Sequence, residues 1–183
     1  YSDSIYVAPI PNADFTFQNN QCSFTSIAFN DLSQAFSGTV ITNWLWDFGD
    51  GATDTVQNPF HTYTNAGNFT VVLYVATNAG CIDSLSLNIT ILASPQAGFV
   101  TTSTCIGDTV NFSNLTTIQG GVQINYSWDF GDTGTSVLTD PQHQYAVSAA
   151  NYDVTLIASA TNGCQDTIVE NIRISNKPVA QFN

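Results

Sequence analysis

Along almost the whole chain, apolar residues recur at every second position in short runs, and almost no stretch has an apolar period of 3.6. A period of two puts successive side chains on opposite faces of an extended strand. The runs are rich in Val, Ile, Thr, Phe and Tyr and are broken by Gly, Asn, Asp and Pro. That pattern predicts an all-β sandwich. The clearest run is 68–77, where Phe69, Val71, Leu73 and Val75 share one face. Asn78-Ala79-Gly80 turns it into a second run at 82–91, because Asn and Gly tolerate positive φ. Shorter strands are predicted at 13–18, 24–30, 43–48, 53–56 and 60–63.

The pattern then repeats. Trp46-Asp47-Phe48-Gly49-Asp50-Gly51 returns as Trp128-Asp129-Phe130-Gly131-Asp132, followed by Thr133 and Gly134. Strands are predicted at 97–102, 108–113, 124–130, 135–138, 151–160 and 165–174, with Tyr152, Val154, Leu156 and Ala158 in phase and Asn162-Gly163 as a turn. A Pro-x-Ala-x-Phe word opens each unit at Pro11 and Pro95 and occurs again at Pro178. The expected organisation is therefore two modules, 11–93 and 94–176. Residues 1–10 read as the last strand of a preceding repeat and 177–183 as the start of a following one. Between the modules lies only Ala93-Ser94-Pro95, a linker short enough to restrict bending.

Composition narrows the setting. Of 183 residues, 43 % are hydrophobic, enough for a core, although only 9 % are charged. The net charge is −12 with two basic residues, Arg173 and Lys177. Nucleic acids and anionic membranes call for clustered Lys and Arg, so neither is expected as a partner. No apolar run is long enough to span a membrane, and no basic-then-apolar leader opens the chain. A lysine–asparagine isopeptide bond within the modules is excluded, since the single lysine, Lys177, follows them.

Candidate chemistry gathers on the repeated word. Asp47, Asp50, Asp129 and Asp132 lie at tight turns. They read either as calcium ligands or as acceptors for turn amides. Two carboxylates per copy are few for a cation wanting six to eight oxygens, so no cofactor is expected. Asp14, Asp54 and Asp153 add ligands only where the fold brings them close. Trp46 and Trp128 alternate with Asp47 and Asp129 and read as core anchors rather than sugar-stacking platforms. Trp44 can share their face, and with the 116–124 loop it is the one hint of a binding surface. His61 and His143 precede Tyr63 and Tyr145 by two residues, which reads as a repeated His-x-Tyr turn that hydrogen-bonds backbone. No Ser-His-Asp set and no pair of glutamates is present, so no enzymatic activity is expected.

Cys22 and Cys105 precede the second strand of each module, and Cys81 and Cys164 follow the long hairpin turn. Matched pairs of this kind point to an oxidising compartment. Three outcomes stay open: Cys22–Cys81 with Cys105–Cys164 inside modules, a Cys22–Cys164 bridge between modules, or no pairing. Sequons occur at Asn68, Asn88, Asn111, Asn114 and Asn125.

The Trp-Asp-Phe-Gly-Asp-Gly word resembles the signature of the polycystic-kidney-disease-type (PKD) domain, an immunoglobulin-like β-sandwich. Asn58-Pro59-Phe60-His61-Thr62-Tyr63, Gly67-Asn68-Phe69-Thr70-Val71-Val72-Leu73 and Thr77-Asn78-Ala79-Gly80 fit it too. The second module matches at Asp140-Pro141-Gln142-His143-Gln144-Tyr145, Asn151-Tyr152-Asp153-Val154-Thr155-Leu156 and Thr161-Asn162-Gly163. It departs at Thr133, where the family has Gly, and at Val147-Ser148-Ala149-Ala150. Tandem modules with these cysteines are similar to those of very large surface proteins of Bacteroidota, exported by the type IX system, some of them gliding-motility adhesins. The resemblance implies an extracellular stalk segment at the cell surface, a spacer that presents a distal binding region. Its partners would be neighbouring repeats, other surface proteins or polysaccharide. The alternative is a spacer or binding module of a secreted hydrolase. Asp followed by Ser or Thr and an aliphatic residue resembles a Bacteroidota O-glycosylation motif, at Ser4, Thr55, Ser84, Thr109 and Thr167.

Overall fold

The structure, a computed structural model, describes residues 9–18, 21–36, 38–102, 105–146 and 150–177. The strands expected of flanking repeats, and Ser4, lie almost wholly outside the described residues. The chain divides after Leu92 into two compact units, Tyr1–Leu92 and Ala93–Asn183. Each is an antiparallel β-sandwich, and the fold is all-β with two immunoglobulin-like domains in series.

The first domain contains β1 (Phe15–Phe17), β2 (Ser26–Asp31), β3 (Ile41–Asp47), β4 (Thr53–Asp54), β5 (Phe60–Thr62), β6 (Gly67–Thr77) and β7 (Ile82–Ile91). One sheet has the order β1-β2-β5 and the other β4-β3-β6-β7. The inward positions of the two sheets meet in a core of aromatic and branched side chains, among them Phe15, Phe29, Trp46, Phe48, Leu73 and Ile89. Alternation fixes the register, because a one-residue slip would carry the whole apolar row to solvent. Trp46 lies opposite Leu73, and Leu73 opposite Leu85.

The second domain repeats this with β8 (Phe99–Thr101), β9 (Val110–Asn114), β10 (Ile124–Asp129), β11 (Thr135–Ser136), β12 (Gln142–His143), β13 (Ala150–Ala160) and β14 (Gln165–Ile174). Its sheets are β8-β9-β12 and β11-β10-β13-β14. The short β12 has no counterpart in the predicted strands. Gln142-His143-Gln144 lacks the apolar alternation of a strand, and it pairs only through Gln142 and His143 with Asn111 and Val110. A 3-10 turn at Gln119–Gly121 closes the loop before β10, with Gly120 and Gly121 at φ 78° and 67°.

The repeated words have structural counterparts. In Pro-x-Ala-x-Phe, the Ala13 N–H donates to Asp83 Oδ2 and the Ala97 N–H to Asp166 Oδ2, both at 2.8 Å. The Phe is the buried first residue of β1 or β8. Before the prolines, Asn58 Oδ1 accepts the Asp31 N–H and Asp140 Oδ1 accepts the Asn114 N–H, again at 2.8 Å. Cys22 forms a parallel bridge with Leu92, directly after β7, and Cys105 forms one with Ser175, directly after β14.

Candidate functional site

The repeated word forms the end of β3 and of β10 and the turn that follows. Alternation sends Trp46 and Trp128 inward, where 0 % and 1 % of their surface is exposed. Each indole N–H finds a backbone acceptor, Val56 O at 3.0 Å and Leu138 O at 2.9 Å. Phe15 meets Trp46 edge-on at 5.1 Å, and Phe99 meets Trp128 at 5.2 Å. Neither indole has a face left for a sugar.

Asp47 and Asp129 face outward, and each accepts the N–H of the glycine two residues on, at 2.9 Å. Gly49 and Gly131 have φ of 79° and 78°. A Cβ on Gly49 would lie 2.6 Å from Thr70 O, and one on Gly131 2.8 Å from Asp153 O. Only glycine lets the turn lie against the neighbouring strand. At the next turn position, Gly51 has φ 94° with open space around it, and its counterpart Thr133 takes φ 77°. A β-branched residue in the left-handed region is strained. Thr133→Gly is therefore expected to stabilise the second domain by about 0.5–1 kcal/mol, after the entropy that glycine returns to the unfolded chain. Urea titration of the variant checks this, and an unchanged midpoint would show that the turn stores no strain.

Asp50 and Asp132 spend both carboxylate oxygens. Oδ1 accepts the Ala52 N–H or the Gly134 N–H, at 3.1 and 3.0 Å. Oδ2 lies 2.8 Å from Nε2 of His61 or His143. Each imidazole stacks on the phenylalanine of the repeated word, with Phe48–His61 centroids 4.1 Å apart and Phe130–His143 centroids 4.3 Å apart. The histidines thus reach a carboxylate rather than backbone. The tyrosines reach backbone instead: Tyr63 Oη donates to Phe48 O at 2.9 Å and Tyr145 Oη to Phe130 O at 3.1 Å. Burial first, then the charges of Asp50 and Asp47, pushes the Tyr63 phenol well above its ordinary value; burial and Asp132 lead for Tyr145.

Burial alone would raise the Asp50 carboxyl. The hydrogen bond from His61, the Ala52 amide and the imidazole charge outweigh it and hold the carboxyl below its ordinary 3.8. Asp132 behaves alike through His143 and Gly134. A carboxyl depressed in the folded state contributes stability that is fully present above its unfolded value and is lost as pH falls through the folded one. The urea midpoint of the chain is therefore expected to fall on moving from pH 6 to below 3.8. The double variant Asp50→Asn with Asp132→Asn should show a shallower fall; an equal slope would remove these carboxyls from the acid response.

Among the described residues no group of three or more His, Cys, Asp or Glu could hold a metal ion. Asp54 Oδ1 accepts the Thr55 and Val56 N–H groups, and Asp153 Oδ1 accepts Asn171 Nδ2. Asp14 accepts Leu32 N–H through its backbone oxygen. With the paired carboxylates committed to amides and imidazoles, the donor set does not fit calcium.

Cys22 and Cys164 are disulfide-bonded, and Cys105 is a thiol. Cys81 lies directly before β7, half-buried, its N–H held by Thr77 Oγ1. Of the three outcomes left open by the sequence, the pairing inside modules does not fit the strand lengths. Cys22 sits at the far end of β7 from Cys81, and Cys105 at the far end of β14 from Cys164. Ten residues of strand span about 33 Å, whereas a disulfide needs Cα atoms within about 7 Å.

Thr55, Ser84, Thr109 and Thr167 are all exposed. At two of them the preceding aspartate has a separate task, since Asp83 and Asp166 receive the alanine amides. Of the sequons, Asn114 has its Nδ2 buried without a partner, out of reach of a glycosylating enzyme in the folded domain.

Trp44 is half-buried against the core, its indole N–H donating to Asp31 Oδ2 at 2.7 Å. Beside it the outer face of β3, β6 and β7 forms an apolar recess of about 260 Å³, with Leu45, Tyr74, Ala76 and Ile82 in its lining. Its rows are Leu45–Tyr74–Ser84 and Asn43–Ala76–Ile82. The matching rows of the second domain are Ser127–Ile157–Thr167 and Asn125–Ser159–Gln165. Trp44, the one lining residue read from the sequence as a hint of a binding surface, borders the recess; Leu45, Tyr74, Ala76 and Ile82 were not among the predicted site residues. The signal for the recess was present in three outward positions, Leu45, Ala76 and Ile82, which are apolar where the second repeat has Ser127, Ser159 and Gln165.

Comparison with known proteins places these geometries. Residues 7–91 and 92–175 each match the PKD domain. The collagenase ColA of Bacillus cereus is 37 % identical over 67 residues, 37 % of this chain and 7 % of that protein. A microbial collagenase of Vibrio alginolyticus is 36 % identical over 70 residues, 38 % of this chain and 9 % of that protein. The chain thus spans under a tenth of the length of these collagenases. Among solved structures, the PKD1 domain of the Vibrio cholerae metalloprotease PrtV is 31 % identical, with 45 % of this chain and 98 % of that chain covered and a TM-score of 0.42. With residues 7–91 and 92–175 both matched, the chain belongs to the PKD domain family, as two such domains in series.

Proposed function

We propose that this segment is a non-catalytic spacer in an extracellular protein, a stretch of stalk that holds a distal binding region away from the cell surface. The observation that supports it is the fate of the repeated word. In both domains its indoles and carboxylates, with the imidazoles and phenols of the His-x-Tyr turn, are spent on one another and on backbone, and the same bonds recur. Groups consumed in holding a turn have nothing left for a substrate. The disulfide-bonded cysteines favour an oxidising compartment. The acidic charge keeps a long array soluble and its members apart. Within this reading, the protein is an adhesin or filament of the Bacteroidota type, exported by the type IX system and serving gliding motility. Its partners are neighbouring repeats, surface proteins or polysaccharide, and its domains are bounded at 11–93 and 94–176. O-glycans on exposed Thr55 and Thr109 would fit the same setting.

A second reading has a specific support of its own. The relatives are collagenases, and the first domain carries an apolar recess around Leu45 and Tyr74. In that reading the segment is an accessory module of a hydrolase. The full-length protein separates the two: a run of further PKD domains ending at the cell surface is expected for the stalk, whereas an adjoining catalytic domain overturns it.

A further inference from the structure

Four cysteines occupy two kinds of place. Cys22 and Cys105 each bridge in parallel to the residue that follows a domain's last strand, Leu92 and Ser175. The local bonds match: the Ser23 N–H donates to Leu92 O and the Ile106 N–H to Ser175 O, both at 2.9 Å. Cys81 and Cys164 each follow the turn between the two longest strands, and each lends its carbonyl to a strand amide, Thr77 N–H or Ala160 N–H. One cysteine of each kind, Cys22 and Cys164, is disulfide-bonded. Inside a domain the two kinds stand a full ten-residue strand apart, about 33 Å, and cannot meet.

From this we infer that Cys105 is a cross-linking site. It forms a disulfide with a cysteine placed as Cys164 is, directly after the long hairpin turn of a further PKD domain beyond residue 183. Its scaffold is that of Cys22, which is already oxidised, and it stands half-buried with its thiol intact. The residues after it carry a third Pro-x-Ala-x-Phe word at Pro178, Ala180 and Phe182. Oxidation proceeds by exchange with the disulfide of an extracytoplasmic thiol oxidoreductase. The Cys105 thiolate attacks one sulfur of that disulfide and forms a mixed disulfide. The partner cysteine, as thiolate, then displaces the oxidoreductase, which leaves as a dithiol holding the two electrons and two protons. The inference needs only one further PKD domain, so a full-length protein with a hydrolase domain would overturn the stalk while leaving this bond in place.

The test uses the full-length protein recovered from its native cells with free thiols alkylated at harvest, then digested without reduction. The expected result is a Cys105 peptide linked to a peptide whose cysteine follows such a turn in another PKD domain. Recovery of Cys105 alkylated, or linked to any cysteine not so placed, overturns the inference. A Cys105→Ser variant gives an opposite-signed check in denatured, thiol-titrated protein. One extra free thiol per chain is expected, because the partner is orphaned; one fewer would show that Cys105 was free.

Discussion

Trp46→Ala is expected to remove about 3–5 kcal/mol from the first domain, as large-to-small changes at fully buried aromatics do. The indole is wholly buried among Phe15, Phe29 and Phe48, and the truncation also leaves Val56 O without its donor. Small domains have only about 5–15 kcal/mol to lose, so the variant should be largely unfolded in modest urea. Trp128→Ala should do the same to the second domain, where Leu138 O is orphaned. Hydrogen exchange of amides in β3 and β6 reads the effect for one domain, and in β10 and β13 for the other. A loss below about 0.5 kcal/mol, the scale of an ordinary surface change, would mean that the tryptophan is not what the sandwich is packed around.

The second large effect is expected at Gly49. Alanine there meets two penalties at once: a left-handed backbone, about 1–2 kcal/mol, and a Cβ 2.6 Å from a strand carbonyl that is held in its own sheet. Overpacking of that kind adds about 1–3 kcal/mol, so the total is roughly 2–5 kcal/mol. Gly51→Ala separates the two, because its φ is equally positive but nothing lies within 4 Å. It should cost only the backbone share. Equal losses at the two positions in chemical denaturation would show that the close approach to Thr70 contributes nothing.

These residues also show what a sequence discloses by itself. Trp46 and Leu73 were legible as inward because alternation alone sets the face of a strand, and β6 and β7 were legible because ten residues of it are hard to mistake. The partner of His61 was not. Asp50 stands eleven residues away, and no local periodicity links an imidazole to a carboxylate across a turn. Only the identical spacing in the second copy hinted at a pair. β12 escaped for a related reason: its two residues are strand by pairing with β9, not by their own pattern. The cysteines were visible as matched pairs, yet their pairing depends on which end of a ten-residue strand each occupies, a fact of three dimensions. The recess at Leu45, Tyr74 and Ile82 looked like ordinary strand sequence until the two copies were set in register.

The contacts at the two ends of β7 also set how the first domain responds to force. Ala13 is tied to Asp83 and Cys22 to Leu92, so the opening segment, whose β1 belongs to the other sheet, meets the last strand near both of its ends with the same chain direction. The second domain ties Ala97 to Asp166 and Cys105 to Ser175 in the same way. Tension applied through the chain on either side of a domain slides these two segments past each other. The contacts at the two ends then lie in shear, where an antiparallel pair pulled from one end would open bond by bond like a zip.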